Sequence, residues 1–556
     1  MSTTSASDSL QAALLLRASY EKFYGTFNDC TVDSKERFQK LLWKEQREAV
    51  RKRIILHDLA FEKAVEGLAP YRQHGRGWWK ETANEFDIQT NHNPLAQTFF
   101  DAVGRIFFKG DLAFTLFDVA KKESLDFRLT LKKVELTDPF QNWIESLLKD
   151  IGFEIPTKNI EKVAARVSDL LRKRFLQPLV TCFFYPDLFY RNKHAYLLGY
   201  AQEGEAIIPL SLAFTNTEQG ITLNALLTTE EQIKNVFAFS RSYFLVSTSD
   251  PKALIDFLLT VLPAKPEAQL YMNLGYQEHG KELVVRHLHR HLQENRSQFI
   301  VAPGIAGMVM MVFTLPDYDL VFKLIRDHFR PPKSVTREEV IDKYKFIAMH
   351  DRVGRLADAQ RFEYLGLPVA YFDQQLLAYL LTDCSQSVSV LHGIVCFQDV
   401  YVERKMVPLN LYLEQETPEN CRHAVIDFGN AIREMAMSNI FPGDLLIKNF
   451  GVTREKRVVF YDYDEIVPLA ECTFKDIPKA RNDDDEMSAE PWYAVNESDI
   501  FPEELVKFLL PEGEHRNLFA AHHQELYTAR FWNELKKFHQ EDQVVDIQPY
   551  EQNLSS

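Results

Sequence analysis

The sequence predicts an α+β chain: an α-rich first half, then a second half that mixes strands and helices. Three observations carry that expectation. Gly is scarce, at 21 of 556 residues, while Phe is abundant at 41. That balance favours long helices and large cores over a turn-rich all-β protein. The first 110 residues carry apolar side chains at helical spacing almost throughout. Beyond Phe299 the texture changes to short β-type runs interrupted by Gly304, Gly307 and Pro316.

The elements follow in order. Asp33 and Ser34 are N-cap candidates for a helix running to about Ala69, with Phe38, Leu41, Leu42, Ala49, Ile54, Ile55 and Leu59 roughly on one stripe. The alternating stretch Leu125–Leu136 reads as strand. Helix returns at Pro139–Ile151 and Asn159–Leu176. Ala195–Leu227 reads as antiparallel strands with a turn at Gln202–Glu205. Thr229 and Gln232 form a capping box that opens a helical run ending near Arg296. In the second half, Thr336 and Glu339 cap a helix to about Val353. Val388–Phe397 and Tyr401–Leu413 read as strands, Pro418–Ser438 as helix and Val458–Val467 as a strand pair. A boundary near Ser297 divides the chain into 1–297, α-rich, and 298–556, mixed.

Composition excludes several classes. A chain of 556 residues with 46% apolar and 26% charged residues is globular and has more than one domain. Its net charge of -15 does not suit a surface that coats nucleic acid or an anionic membrane. No apolar run reaches the roughly 18 residues a membrane span needs, and Met1–Leu16 lacks the basic start of a secretory signal. The six cysteines (Cys30, Cys182, Cys384, Cys396, Cys421 and Cys472) are scattered without a C-x-x-C pair, the pattern of reduced, buried thiols in a cytoplasmic protein.

Three motifs read as ordinary surface. Gly275–Glu282 matches G-x-x-x-x-G-K but ends in Glu, which would repel phosphate where a hydroxyl is needed for a metal. His287 and His291 are four apart but have no Glu between them in the zinc-protease position, and they sit among Arg286, Arg290 and Arg296. Asp483–Glu486 reads as a solvated acidic loop.

One ordered set of residues carries chemistry. Asp444 is followed five residues later by Asn449, the spacing of a protein-kinase catalytic loop. Thirteen residues beyond Asn449, Asp462 ends the β-run Val458–Tyr461, where a kinase places its metal-binding carboxylate. Upstream, Gly304 and Gly307 mark a phosphate-covering turn, and Lys323 follows Gly307 by 16 residues on an apolar strand. Phosphoryl transfer needs these parts: a carboxylate facing the attacking hydroxyl, an Asn and a second carboxylate for Mg²⁺, and a lysine on the nucleotide phosphates. The set departs from general kinases. Pro442-Gly443-Asp444 stands for His-Arg-Asp, Asp462-Tyr463-Asp464 for Asp-Phe-Gly, and no Ala-Pro-Glu follows. Glu338, Glu339 and Asp342 are all open as the helix partner of Lys323.

Val301–Pro316, His350–Arg355, Phe441–Val452, Val458–Ile466 and Phe237–Phe244 resemble bacterial isocitrate dehydrogenase kinase/phosphatase, over nearly the whole chain. The resemblance implies an α-rich regulatory domain followed by a bilobal protein-kinase-like domain. It implies an enzyme that phosphorylates a serine of isocitrate dehydrogenase with ATP and Mg²⁺ (or Mn²⁺) and removes that phosphate again. It also implies control of the branch between the tricarboxylic acid cycle and the glyoxylate bypass, AMP as allosteric effector, and a homodimer. It places the ATP loop on Ala302, Pro303, Gly304, Ile305, Ala306, Gly307 and Met308, the ATP lysine on Lys323, and the active-site carboxylate on Asp358. The residues alone show no phosphatase signature: no C-x-x-x-x-x-R and no two-metal cluster. A small-molecule kinase on the same fold and a catalytically inactive scaffold are the competing classes. The intact set Lys323, Asp444, Asn449 and Asp462 argues against the scaffold, and the large first half argues against the small-molecule kinase.

Overall fold

The computed structural model describes residues 2–110, 130–137, 140–153, 157–177, 179–238, 244–303, 307–331, 333, 335–479, 493–496 and 498–554. Part of the Leu125–Leu136 stretch, part of Phe237–Phe244 and all of Asp483–Glu486 lie outside these residues.

Five helices open the chain: α1 (Ser2–Val32), α2 (Ser34–Gln39), α3 (Trp43–Gly67), α4 (Arg76–Gln89) and α5 (Pro94–Phe107). The single helix expected from Asp33 to Ala69 is therefore two, because Leu41 adopts a left-handed φ of 58° between α2 and α3. The break resets the helical phase, so a stripe extrapolated across it fails. The inner face of α3 is Gln46, Ala49, Arg53, His57, Phe61 and Ala64, whereas Ile55 and Leu59 are each 45% exposed. Arg53 crosses that face over the ring of Phe27, at 3.6 Å, and donates to the carbonyls of Phe244 and Leu274.

A six-stranded antiparallel sheet follows, built from β1 (Lys132–Thr137), β2 (Leu179–Phe184), β3 (Phe189–Arg191), β4 (His194–Glu203), β5 (Ala206–Thr217) and β6 (Gly220–Leu227) in the order β1-β2-β4-β5-β6, with β3 beside β4. Helices α6 (Gln141–Ile151) and α7 (Thr157–Arg174) lie between β1 and β2 in the chain. The β4–β5 turn uses Gly204 at φ 64°, as the sequence predicts. Thr229 and Gln232 form both bonds of a capping box at α8 (Glu230–Val236). Helices α9 (Pro251–Val261), α10 (Glu267–Asn273) and α11 (Gln277–Asn295) complete this half, and α11 stops at Arg296 with φ 53°. The Gly275–Glu282 near-match is the start of α11.

The second half has two lobes. In the first, β7 (Ile300–Val301), β8 (Met310–Thr314) and β9 (Leu320–Ile325) precede helix α12 (Arg337–His350). Then come β10 (Gln360–Pro368), helix α13 (Gln374–Asp383), β11 (Val388–Leu391) and β12 (Ile394–Arg404). The sheet order is β10-β12-β9-β8-β7, with β11 on β12. The β11–β12 turn falls at His392-Gly393, and Leu409–Leu413, expected as strand, lies in helix α14 (Leu409–Gln415) after β13 (Val407–Pro408). A left-handed Gly393 at φ 77° closes the hairpin earlier than the apolar run alone suggests.

The second lobe is built on helix α15 (Pro418–Met437). Around it lie β14 (Ile440–Phe441), β15 (Phe450–Val452), β16 (Val458–Phe460) and β17 (Val467–Pro468), with helices Glu514–His522 and Ala529–Gln540. The expected Val458–Val467 strand pair is not a pair: β16 joins β15, and β17 joins β14. The intervening Asp462–Glu465 segment is thereby held out as a loop. The chain end then crosses back to the first half. Asn553 brackets Leu226 with two hydrogen bonds, and Tyr550 bonds Asn224 and His194.

One buried ion cluster fixes the segment between the lobes. Arg355 donates a fork to Asp427 at 2.7 and 2.7 Å, reaches Glu434 at 2.8 Å, and donates to the carbonyl of Val458 at 3.0 Å. Burial opposes the guanidinium charge, yet Asp427 and Glu434 outweigh it and raise its pKa. Asp427 also accepts from the Val458 amide. Backbone bonds between Arg355, Ala357 and Phe460 then lay this segment along β16. Just upstream, Asp351 accepts from the amides of Val353 and Gly354. Burial pushes its carboxyl up to about 6, against those two amides.

Two outcomes follow for stability. Arg355→Ala strands two acids in a partly buried setting and lowers unfolding free energy by about 3–5 kcal/mol. Urea unfolding followed by tryptophan fluorescence measures this, and a loss under about 1 kcal/mol would place the cluster with surface pairs. Asp351 binds its proton more tightly folded than unfolded. It therefore favours folding below about pH 4, and that advantage is lost as pH rises through about 6. Asp351→Asn keeps the acceptor oxygen, so it should raise the thermal midpoint above pH 6 and leave it unchanged below about pH 4.

Candidate active site

Lys323 sits on β9 with only 8% of its surface exposed. Its ammonium donates to the carbonyl of Tyr461 at 3.0 Å. The Tyr461 amide donates to the carbonyl of Asn449 at 3.0 Å, and the Asn449 side-chain amide donates to the carbonyl of Asp444 at 3.2 Å. A continuous hydrogen-bonded path thus joins the strand lysine to both members of the Asp444–Asn449 loop. Asp462 is the next residue after Tyr461. Burial raises its pKa, Asp444 raises it further, and Lys323 and Lys333 act against both. The four residues singled out by spacing are therefore brought together.

The loop owes its shape to Gly443. At φ 72°, a Cβ there would lie 2.4 Å from the Glu465 carbonyl oxygen. No side chain fits, which is why Gly stands where kinases carry Arg. Asp444 then turns its own carboxylate onto the Leu446 amide at 3.2 Å.

The expected helix partner of Lys323 is corrected by the structure. Glu338, Glu339 and Asp342 are all exposed on α12, and Glu339 is committed to the Thr336 cap. The ion pair goes instead to Glu403 on β12, at 2.7 Å. In the β9–β12 ladder Lys323 faces Tyr401, which puts Glu403 on the same face two residues along. The helix contributes Tyr344, whose ring lies 3.9 Å from that of Tyr401 and 5.0 Å from that of Tyr463. Lys343 of the helix donates to the Asp464 carbonyl, and Lys333 pairs with Glu465 at 2.5 Å. Asp464 is pushed up to about 6, by burial first and by Asp462 next. Spacing alone pointed to none of Glu403, Tyr344, Lys333 and Lys343. The one available signal was an acid in an otherwise apolar and aromatic strand, Val400-Tyr401-Val402-Glu403.

Of the phosphate-covering turn, Gly304, Ile305 and Ala306 lie outside the described residues. Its flanks join β7 to β8: Ala302 donates to the Val312 carbonyl at 2.9 Å, Pro303 is exposed, and Met308 is 38% exposed. Arg326 reaches back to the Gly307 carbonyl and pairs with Asp383.

Asp358 is placed differently. It follows Ala357, which is bonded to Phe460, and it accepts from the Gln360 side chain. It lines a shallow cleft with Asp319, Arg404, Lys405, Thr453, Arg454 and Glu455. Lys323, Asp444, Asn449 and Asp462 do not line that cleft. Asp358 does lie within electrostatic reach of Glu403.

Among the described residues no three His, Cys, Asp or Glu side chains cluster as a metal cage. A nucleotide-bound Mg²⁺ does not need one, because phosphates and water supply most of its oxygens and the protein adds one or two. Asp462 offers a carboxylate and Asn449 an amide oxygen, and both are hard donors. The donor set fits.

Two family models match the chain in succession. The isocitrate dehydrogenase kinase/phosphatase (AceK) regulatory domain matches residues 13–296, and the isocitrate dehydrogenase kinase/phosphatase (AceK) kinase domain matches residues 297–552. The isocitrate dehydrogenase kinase/phosphatase of Anaeromyxobacter sp. (strain Fw109-5) is 36% identical over 557 residues, covering 97% of this chain and 96% of that protein. The protein of the same name from Burkholderia ambifaria (strain MC40-6) is 34% identical, covering 96% and 91%. The one from Burkholderia thailandensis (strain ATCC 700388 / DSM 13276 / CCUG 48851 / CIP 106301 / E264) is 35% identical, covering 96% and 92%. With both halves matched in order and relatives aligned end to end, the chain belongs to the isocitrate dehydrogenase kinase/phosphatase family.

Proposed function

We propose that this protein phosphorylates a serine of isocitrate dehydrogenase with ATP, inactivating it, and hydrolyses the same phosphate to restore it. The activity would set the branch between the tricarboxylic acid cycle and the glyoxylate bypass. The observation that carries the reading is the hydrogen-bonded path Lys323–Tyr461–Asn449–Asp444 within a chain that matches the family along its length. The division into 1–297, regulatory, and 298–556, catalytic, is part of it, as are AMP as effector, a homodimer and a cytoplasmic location. Among the described residues no helix is long and apolar enough to cross a membrane.

In this reading the residues divide the work. Lys323 presents its ammonium to the nucleotide phosphates, which the turn Ala302–Met308 covers. Asp444 holds the serine hydroxyl in line and accepts its proton as the oxygen attacks phosphorus. Asn449 and Asp462 would hold Mg²⁺ (or Mn²⁺), which supplies charge neutralisation on the phosphates. The reverse direction needs a water in place of a protein hydroxyl. Asp358 is the carboxylate assigned to orient that water and take its proton. Its support is the family resemblance together with its position on a cleft shared with Arg404 and Arg454, outside the Asp444 group. The overall test is incubation of the pure protein with labelled ATP and isocitrate dehydrogenase, following label both on and off. A small molecule taking the label while isocitrate dehydrogenase stays unlabelled would favour the alternative, a small-molecule kinase.

Three variants test the assignments. Lys323→Ala should lower both activities by about 10²-fold or more at saturating ATP, and wild-type transfer would remove it from the site. Asp462→Ala should abolish metal-dependent turnover, while Asp444→Ala slows transfer and leaves nucleotide affinity within about threefold, as expected for a group that acts on the hydroxyl. An unchanged Mg²⁺ titration in Asp462→Ala would overturn that role.

Asp358→Asn keeps shape and removes basicity. It should depress phosphatase turnover at least about tenfold more than kinase turnover, on the scale of a general base. Both rates must come from one preparation, with phosphorylated and unphosphorylated isocitrate dehydrogenase. Equal losses would assign Asp358 to the shared nucleotide site.

A further inference from the structure

In a general protein kinase the strand lysine is held by a glutamate of the following helix, and moving that helix makes or breaks the pair. The corresponding helix here, α12, brings no carboxylate to Lys323. Its acids Glu338, Glu339 and Asp342 point to solvent, and the inward position is taken by Tyr344, which is 5% exposed and packed on Tyr401 and Tyr463. The carboxylate comes from the neighbouring strand, where Glu403 is 2% exposed and lies 2.7 Å from the ammonium.

A buried carboxylate with one cationic neighbour is costly unless the pair does work or is fully bonded. Beyond the ion pair, neither Glu403 oxygen has a hydrogen-bond partner among the described residues. It is therefore not a link in a structural network. Among the described residues its ion-pair partner is Lys323, and both residues sit on adjacent strands of one sheet, which fixes their separation by backbone register.

We propose that Glu403 is the positioning residue for Lys323. It does from strand β12 what a helix glutamate does elsewhere, so the lysine stays poised wherever α12 stands. The inference rests on Lys323 being the nucleotide lysine. It also gives α12 a different task. Through Lys343 the helix holds the Asp464 carbonyl, and its far end, Phe346, Met349 and His350, faces Ile55 and Leu59 of α3 across an open groove. A shift of α12 driven from the regulatory half would thus move the Asp462–Asp464 loop while leaving the lysine pair intact.

The test is a double-mutant cycle on Mg²⁺–ATP affinity, measured by calorimetry on the full chain, so that no residual turnover is needed. Lys323→Met should weaken binding at least about tenfold, a loss on the scale of one charged contact. Glu403→Gln, which keeps volume, should weaken it about three- to tenfold, on the scale of one lost charge interaction, and should add less than about twofold in the Lys323→Met background. Acylation of Lys323 by an amine-reactive ATP analogue should also shift to lower pH in Glu403→Gln, because the ammonium loses its counter-ion. The variant with Glu338→Ala, Glu339→Gln and Asp342→Ala together should bind as wild type. If Lys323→Met leaves affinity unchanged, the assignment of the lysine fails and the proposal falls with it. If Lys323→Met weakens binding but Glu403→Gln does not, or its effect persists undiminished in the Lys323→Met background, the lysine stands and Glu403 is not its anchor. Loss of affinity in the helix variant would return the role to α12.

Discussion

The Arg355 guanidinium is the point on which the catalytic half is hung. Three elements remote in sequence meet on it: α15 through Asp427 and Glu434, β16 through Val458, and its own segment leading to Asp358. Each of its five N–H groups is a donor in a fixed plane, so one side chain imposes both distance and angle on its partners. Asp462, proposed as a metal ligand, lies two residues beyond β16, and Asp358 lies three residues beyond Arg355. Asp462 and Asp358 are thereby referenced to the same anchor, although Asp358 lines a cleft that Asp462 does not.

The parts of this arrangement that were legible in sequence share a property: each is fixed by local backbone. The capping boxes at Thr229 and Thr336 form as written because a cap needs only residues three apart. Asp444 and Asn449 come together because they lie in one loop, and Asp462 because it ends the adjoining strand. What was not legible depends on register between distant segments. Lys323 and Glu403 are eighty residues apart in number and neighbours only because β9 pairs β12 with Lys323 opposite Tyr401. The expectation of a helix partner failed for the same reason, since helix phase, not composition, sent Glu338, Glu339 and Asp342 outward. Likewise the α3 stripe failed when Leu41 broke the helix and reset its phase.

The two halves are joined by more than one connection. Asp546 meets His194 at 2.8 Å, Tyr550 and Asn553 bind the β4 and β6 strands, and Arg47 of α3 pairs with Asp542 at 2.5 Å. Arg191 of β3 donates to the Arg352 carbonyl at the foot of α12. The boundary near Ser297 describes where the chain changes texture, whereas the packed unit of the first half also takes in the last residues of the chain. A cut made at Ser297 would leave the β4–β6 face without the tail that covers it, which bears on how either half behaves alone.

The departures from general kinases fall into place together. A kinase regulated by phosphorylation uses an arginine beside the catalytic aspartate to hold a phosphorylated loop, and needs a flexible segment ending in Ala-Pro-Glu to carry it. Here Gly443 replaces that arginine because the Glu465 carbonyl occupies the space of any Cβ. Glu465 is in turn gripped by Lys333, and the Asp464 carbonyl by Lys343. The loop after Asp462 is thus closed down by lysines from the α12 side and by direct contact with the catalytic loop. Helix α12 faces α3 of the first half across a groove lined by Phe346, Met349 and His350 on one side and Ile55 and Leu59 on the other. Tyr344 is wedged between Tyr401 and Tyr463, and the Tyr463 hydroxyl is bonded to the Ala357 carbonyl beside Asp358. A displacement of α12 therefore reaches the Asp462 loop through Lys343 and the Asp358 segment through Tyr463, while Lys323 keeps its pair with Glu403 by strand register and meets the loop at the Tyr461 carbonyl.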